Sequence, residues 1–458
     1  MADSPAVQAS LDPKEAPILD RVLYLRDKLS LLKQDKSTYI KSHDVLGLYD
    51  EVIEQVHLLN TIRKEHGKPL EQNRVDSVLE DCFQLISLFF LTIGRNNEAP
   101  AVYSMTSTIR RLLDHLKEAA LFSAKDLDSV SHTLDKMLGT LQRGKDTHSP
   151  HLLTLLENRL DTCRNILAEL QASLADLSPA LHPVYERMVS ILRSIAAANT
   201  RQKVRSFPLI STHVIDETQF PTAEVESFRD QLKEIQGTMV DGKFLAENST
   251  APAGQTIVAA LLDRCLLWSD IVLSRKGKID ERFKAPYEKL YEIRNQLEKL
   301  SLTQAWSLRE TDLYNYQRQL DRVDEARVDG NFEDDTGHKA DLHAQRTLLY
   351  LLRRSYAYIY TLLVSSEPVS EALLPVFNQL QTLRRCLTEV KKAGGVSSTR
   401  ELYPYSMKLT SIDNMRVDGK FLVGNDIPEG QGSVNSLLAE CFDILYDLKV
   451  QAEENDSE

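Results

Sequence analysis

Behind a proline, large apolar residues recur at three-residue steps, and they do so five times along the chain. Leu19, Tyr103, Tyr185, Tyr287 and Phe377 open the pattern. Val22, Thr106, Met188, Leu290 and Leu380 follow three residues on, then Leu25, Ile109, Ile191, Ile293 and Leu383. An arginine comes next at Arg26, Arg110, Arg294 and Arg384, and one step later at Arg193. This spacing puts one apolar stripe on a helix with a cation at its border, and the leading proline suits a first turn whose N–H groups lack partners anyway. A second amphipathic stretch follows each first one, at about 44–64, 124–143, 222–237, 308–326 and 403–415. A third is clearest as Val258, Leu261, Leu262, Cys265 and again as Val434, Leu437, Leu438, Cys441.

A three-helix unit repeated every 80 to 100 residues is the signature of a helical array in which neighbours complete one another's cores. The expected fold is all-α: tandem three-helix repeats in an elongated or curled array. The expected units span 16–95, 96–176, 177–275, 276–365 and 366–450, between a disordered leader at 1–15 and an acidic disordered tail at 451–458. Strand signals are sparse, with Ser206 to Val214 the best candidate.

The second helical stretch of each unit runs into a glycine: Gly67, Gly144, Gly242, Gly330 and Gly419. In the third and fifth units the surrounding sequence is nearly identical, Met239-Val240-Asp241-Gly242-Lys243-Phe244-Leu245 and Arg416-Val417-Asp418-Gly419-Lys420-Phe421-Leu422; the fourth has Arg327-Val328-Asp329-Gly330-Asn331-Phe332. One reading is a helix C-cap, where glycine adopts the left-handed conformation without penalty and a lysine complements the helix dipole. A tight turn with the phenylalanine plugged into the core accounts for the recurring Val, Asp and Phe. A functional reading places Lys243, Lys420, Asp241 and Asp418 at equivalent positions, able with Arg294 or Arg384 to hold a phosphate or anionic peptide, provided they share a pocket.

The densest polar cluster is Glu333, Asp334, Asp335, His338, Asp341 and His343, with Asp335, His338 and His343 the weak metal candidates. As a calcium loop counted from Asp329 it fails, having Asp334 where glycine is needed and Ala340 where glutamate is. A solvated acidic loop is the simpler reading. The five cysteines form no C-x-x-C pair, and Cys82, Cys265 and Cys441 share one helical position, so they read as small buried residues in a reducing compartment.

A formal net charge of −12 argues against a general binder of nucleic acid or anionic membranes. No apolar run spans a bilayer, and residues 1–17 carry no apolar signal segment. Phosphate-loop, dinucleotide-fold, nucleophile-elbow and zinc-protease motifs are missing. The expected function is therefore a non-enzymatic scaffold or adaptor with protein partners and no cofactor; the alternative is an anion or small-metabolite binder using the Gly-Lys junctions. Ser4 and Ser457 in the flexible ends are candidate phosphorylation sites.

The two Val-Asp-Gly-Lys-Phe-Leu segments, with Gly254-Gln255 and Gly430-Gln431 before Leu-Leu-x-x-Cys, resemble a fungal family of uncharacterised proteins that carries a repeated domain of unknown function, the uncharacterised protein family 0662 type. The resemblance covers about residues 17 to 450. It implies an intracellular protein, cytoplasmic and nuclear, with no assigned catalytic residues, and by association a part in protein turnover or stress responses.

Overall fold

The computed structural model describes residues 12–66, 72–201, 220–245 and 251–455. Fifteen α-helices lie among them, and they fall into five consecutive sets of three. These are α1 (Ala16–Gln34), α2 (Ser42–His66) and α3 (Arg74–Thr92); α4 (Val102–Ala119), α5 (Ala124–Arg143) and α6 (Pro150–Ala175); α7 (His182–Asn199), α8 (Thr222–Gly237) and α9 (Gln255–Arg275). The last two are α10 (Lys284–Ser307), α11 (Leu313–Glu325) and α12 (Leu342–Val364), then α13 (Leu374–Lys392), α14 (Tyr403–Asp413) and α15 (Gln431–Asn455). The fold is all-α. In every set the first and third helices pack together. The stripe residues are what they bury: Val22, Met188, Leu290 and Leu380 have no exposed surface, the outcome expected of an apolar face at helical spacing.

Two ends of the chain differ from expectation. Residues 13–15, placed in the leader by composition, form a 3₁₀ turn whose Glu15 is fully buried, held by Arg63 at 2.8 Å and Asn73 at 2.7 Å. α15 runs on to Asn455 with Ala452 buried, because one apolar contact per turn is enough to carry an acidic segment on as helix. The strand candidate 206–214 and the Gly67-Lys68 junction lie outside the described residues.

The units do not form a line. Units one, two and four share one hydrophobic core, while units three and five each enclose their own. α12 packs on α4, and α11 on α3, contacts between units that are not sequence neighbours. Of the two arrangements expected, the elongated array is replaced by a curled body.

A charged network fastens unit four to units one and two. Arg318 pairs with Asp81 at 3.1 Å, and Arg111 reaches Asp324 at 3.0 Å and Glu325 at 3.2 Å. Buried His115 adds its Nε2 to Asp324 at 3.0 Å, and Arg327 adds a further bond at 2.9 Å. Although burial opposes its charge, these partners hold the Asp324 carboxyl down at about 2. Unit five is tied on by Arg309 to Glu371 at 2.6 Å and Arg95 to Glu429 at 2.7 Å.

Candidate functional site

The recurring Val-Asp-Gly segment is a hairpin, not a helix cap. α8, α11 and α14 end at Gly237, Glu325 and Asp413, before the motif begins. Val240 and Lys243 then exchange both backbone hydrogen bonds, at 2.9 and 3.0 Å, as do Val328 and Asn331, at 3.0 and 2.8 Å. In unit five the same pairing makes two short strands, β1 (Arg416–Val417) and β2 (Lys420–Phe421). Asp241, Asp329 and Asp418 all sit at φ 49°, and the glycines after them at 74°, 76° and 76°. Two successive left-handed residues define a type I′ turn, which Asp-Gly favours and which matches the twist of the paired strands. Gly144, by contrast, does cap α5 but at φ −81°, so it needs no left-handed freedom.

Behind each turn the phenylalanine is buried: Phe244, Phe332 and Phe421 keep 4, 6 and 2 % of their surface. A glutamine in the first turns of the third helix grips its backbone. The Gln255 amide accepts from Phe244 N–H at 2.9 Å and donates to Phe244 C=O at 2.7 Å. Gln345 does the same for Phe332 and Gln431 for Phe421. Gly430 before the last of these has φ 96° and lies so close to the Val369 backbone that a Cβ would meet its Cα at 2.7 Å. The phenylalanine is thereby anchored at the base of the hairpin.

What the tips show outward is apolar as much as charged. Val240, Val328 and Val417 are each about half exposed, at 53, 49 and 55 %. Lys243, Asp241, Lys420 and Asp418 are exposed on the hairpins of two different units. Arg294 lies on α10, bonded to Glu298 at 3.2 Å and the Thr200 carbonyl at 3.4 Å. Arg384 on α13 binds Glu440 at 3.1 Å. Each thus has its own partners, and no interaction among the described residues joins Lys243 and Lys420 to either arginine.

The metal candidates are also apart. Asp335 and His338 are exposed on the loop before α12. That loop is organised by Asp334, whose carboxylate accepts from the Thr336 hydroxyl at 2.6 Å and the His338 N–H at 2.9 Å, which holds it at about 2. His343 is buried on α12, its Nε2 against Asn199 at 3.2 Å and its ring on Trp268 at 5.7 Å.

Four thiols have a structural role that spacing only partly disclosed. Cys82, Cys163, Cys265 and Cys441 direct Sγ to the carbonyls of Val22, Thr106, Met188 and Leu380, the middle stripe residue of the first helix in each unit. Burial pushes Cys163 and Cys441 up to about 11 and Cys265 up to about 12, which removes the thiolate a nucleophile needs. Unit four has buried Ser355 at this place, ten residues after its glutamine as in units three and five.

Fold and site together define an all-α protein of three-helix units, three of which carry a glutamine-clamped hairpin. The profile of a family described as "Protein of unknown function (DUF2408)" matches residues 174–310 and 366–458, which contain the two Lys-bearing hairpins. A CUB1 family protein of Schizosaccharomyces pombe is 39% identical over 453 residues, covering 97% of this chain and 95% of that protein. The "Cu(2+) suppressing and bleomycin sensitive protein 1" of Saccharomyces cerevisiae is 38% identical over 502 residues, covering 96% of this chain and 91% of that protein. The chain belongs to this fungal family. No solved structure matches it.

Proposed function

We propose that the protein is a non-enzymatic helical scaffold whose fifth unit presents an apolar face to a protein partner. The observation that carries this is the distribution of exposed apolar side chains. Seventeen large ones are exposed among the described residues, and seven belong to unit five: Tyr403, Met407, Met415, Val417, Leu422, Ile427 and Tyr446. Exposed apolar surface, where it is contiguous, marks interaction sites, and this unit supplies more of it than any other. The clamped hairpin supports the same reading, because a tip anchored at its base loses little entropy when a partner closes on it. The name of the S. cerevisiae relative links that protein to copper and to bleomycin sensitivity. Carried over, it favours a regulatory part in a stress response.

The test is a double substitution, Val417→Asp with Leu422→Asp, in the full-length chain. Both side chains are exposed, so stability should stay within about 0.5 kcal/mol by urea unfolding. Proteins captured from fungal extract by the unaltered chain should be lost from the variant. An identical captured set would remove unit five as the partner surface. For the alternative, an anion site at the Gly-Lys junctions, the supporting feature lies at the equivalent Gly-Asn junction of unit four: Gly330 and Asn331 border an arginine-lined cleft.

A further inference from the structure

Many arginines in this protein are held in ion pairs. Arg63 binds Glu15 and Asp76, Arg111 three acidic side chains, Arg309 Glu371 and Arg318 Asp81. One cleft gathers three that are not. It lies where α12 meets units two and three, encloses about 260 Å³, and is lined by Arg264, Arg346 and Arg353 together with Trp268 and Tyr350. Among the described residues none of these three arginines makes an ion pair. Arg264 is braced by the carbonyls of Ala119 and Ala120, at 3.3 and 2.6 Å, where α4 ends. Arg346 lies over the Trp268 ring at 5.5 Å. Arg353 has a buried Nη1 with no hydrogen-bond partner, and Arg264 a buried Nε in the same condition.

A half-buried guanidinium with no partner acid is held less favourably than one in water, and two of these groups register it. Burial, with Arg193 alongside, pulls Arg353 down to about 10; burial, with Arg264 alongside, pulls Arg346 down too. The one carboxylate in the lining, Glu118, is engaged by Arg327. Three guanidinium groups lining one cleft whose carboxylate is already paired, in a chain of net charge −12, offer a local site for a multiply charged anion.

Tyr350 and Arg353 also line a second groove, of about 440 Å³, whose walls include Leu112, Val130, Ala357 and Tyr360. Arg193, Lys125 and Arg354 stand in that groove, and its acid, Asp126, is taken by Arg193. Taken together, the two spaces have the size that small-molecule sites occupy, roughly 300–1,000 Å³. We infer that they form one binding site for a small organic polyphosphate, with its phosphates on Arg264, Arg346 and Arg353 and its non-polar body in the adjoining groove. The hairpin of unit four, through Gly330 and Asn331, forms part of the rim.

Titration calorimetry on the full-length chain with inorganic phosphate, pyrophosphate and adenosine triphosphate tests this. Affinity should rise in that order, and Arg346→Met and Arg353→Met should each weaken triphosphate binding at least tenfold. Arg384→Met, on α13 and outside both spaces, should leave it unchanged. Melting separates the site from mere damage. Without ligand, Arg353→Met should melt no lower than the parent chain, since Arg353 has no ion pair to lose, yet it should lose the rise that triphosphate gives the parent. In a Trp306→Phe chain, Trp268 is the remaining tryptophan, and its fluorescence should change on titration with triphosphate. No binding of any probe, or equal binding by parent and both variants, overturns the site. Equal affinity for phosphate and triphosphate overturns the organic body.

Discussion

At the scale of single residues, the phenylalanine clamp makes the sharpest demand. Gln431→Leu leaves both backbone groups of buried Phe421 without their partner. An unsatisfied buried polar group costs about 1–3 kcal/mol, so with two of them urea unfolding should show a loss of about 2–6 kcal/mol. Gln431→Glu keeps the acceptor for the Phe421 N–H and should lose less; equal losses would mean the amide pair is not what holds the loop. The clamp was half legible. Gly254-Gln255 and Gly430-Gln431 stand out by repetition, whereas Gln345 follows an alanine and has no such mark. The Asp-Gly dipeptide between Val and Phe is itself a hairpin signal. It reads as a helix end because a strong helical pattern runs directly into it, and a two-residue strand is too short to show alternation.

At the scale of elements, helix spacing was nearly complete information. The second helices of units two and three begin and end where periodicity places them, at 124–143 and 222–237. The stripe works because it is redundant, with three large residues per helix facing the same neighbour. The shared cysteine position follows from the same packing, since a small side chain there lets its Sγ reach the carbonyl opposite. Alkylation with iodoacetamide under native conditions should therefore label Cys386, the exposed thiol, and spare Cys82, Cys163, Cys265 and Cys441 until denaturant is added. Rapid native labelling of any of those four, read by mass spectrometry, would contradict their burial. The arginine cleft was not legible, because its members come from α9 and α12 and nothing in a linear sequence shows which cations lack partners.

For the whole molecule, the joint between units two and four sets the response to acid. Asp324 has an unfolded-state reference of 3.8 and a folded value of about 2. A carboxyl depressed on folding contributes stability that is complete above the unfolded value and vanishes as pH falls through the folded one. Stability should thus decline between about pH 5 and pH 2, and Asp324→Asn should flatten that decline while lowering stability at pH 7 by about 3–5 kcal/mol, because Arg111 and Arg327 would lose a buried partner. An unchanged acid profile in the variant would assign the decline to other groups. Which units touch was beyond the sequence. Periodicity defines each three-helix set, but the docking of α12 on α4 joins residues more than 200 positions apart, and neither helix carries a pattern naming the other.

That docking has a bearing on how the chain is made. Units one and two leave the ribosome first, yet the core they share is completed by unit four, after all of unit three has been synthesised. Until then the face of α4 that meets α12 has nothing to lie against. Nascent chains that expose apolar surface through so long a wait are substrates for chaperones and prone to self-association. Unit three, enclosing its own core, can fold during the interval, and it would carry α9 into position before α12 arrives to be received on both sides.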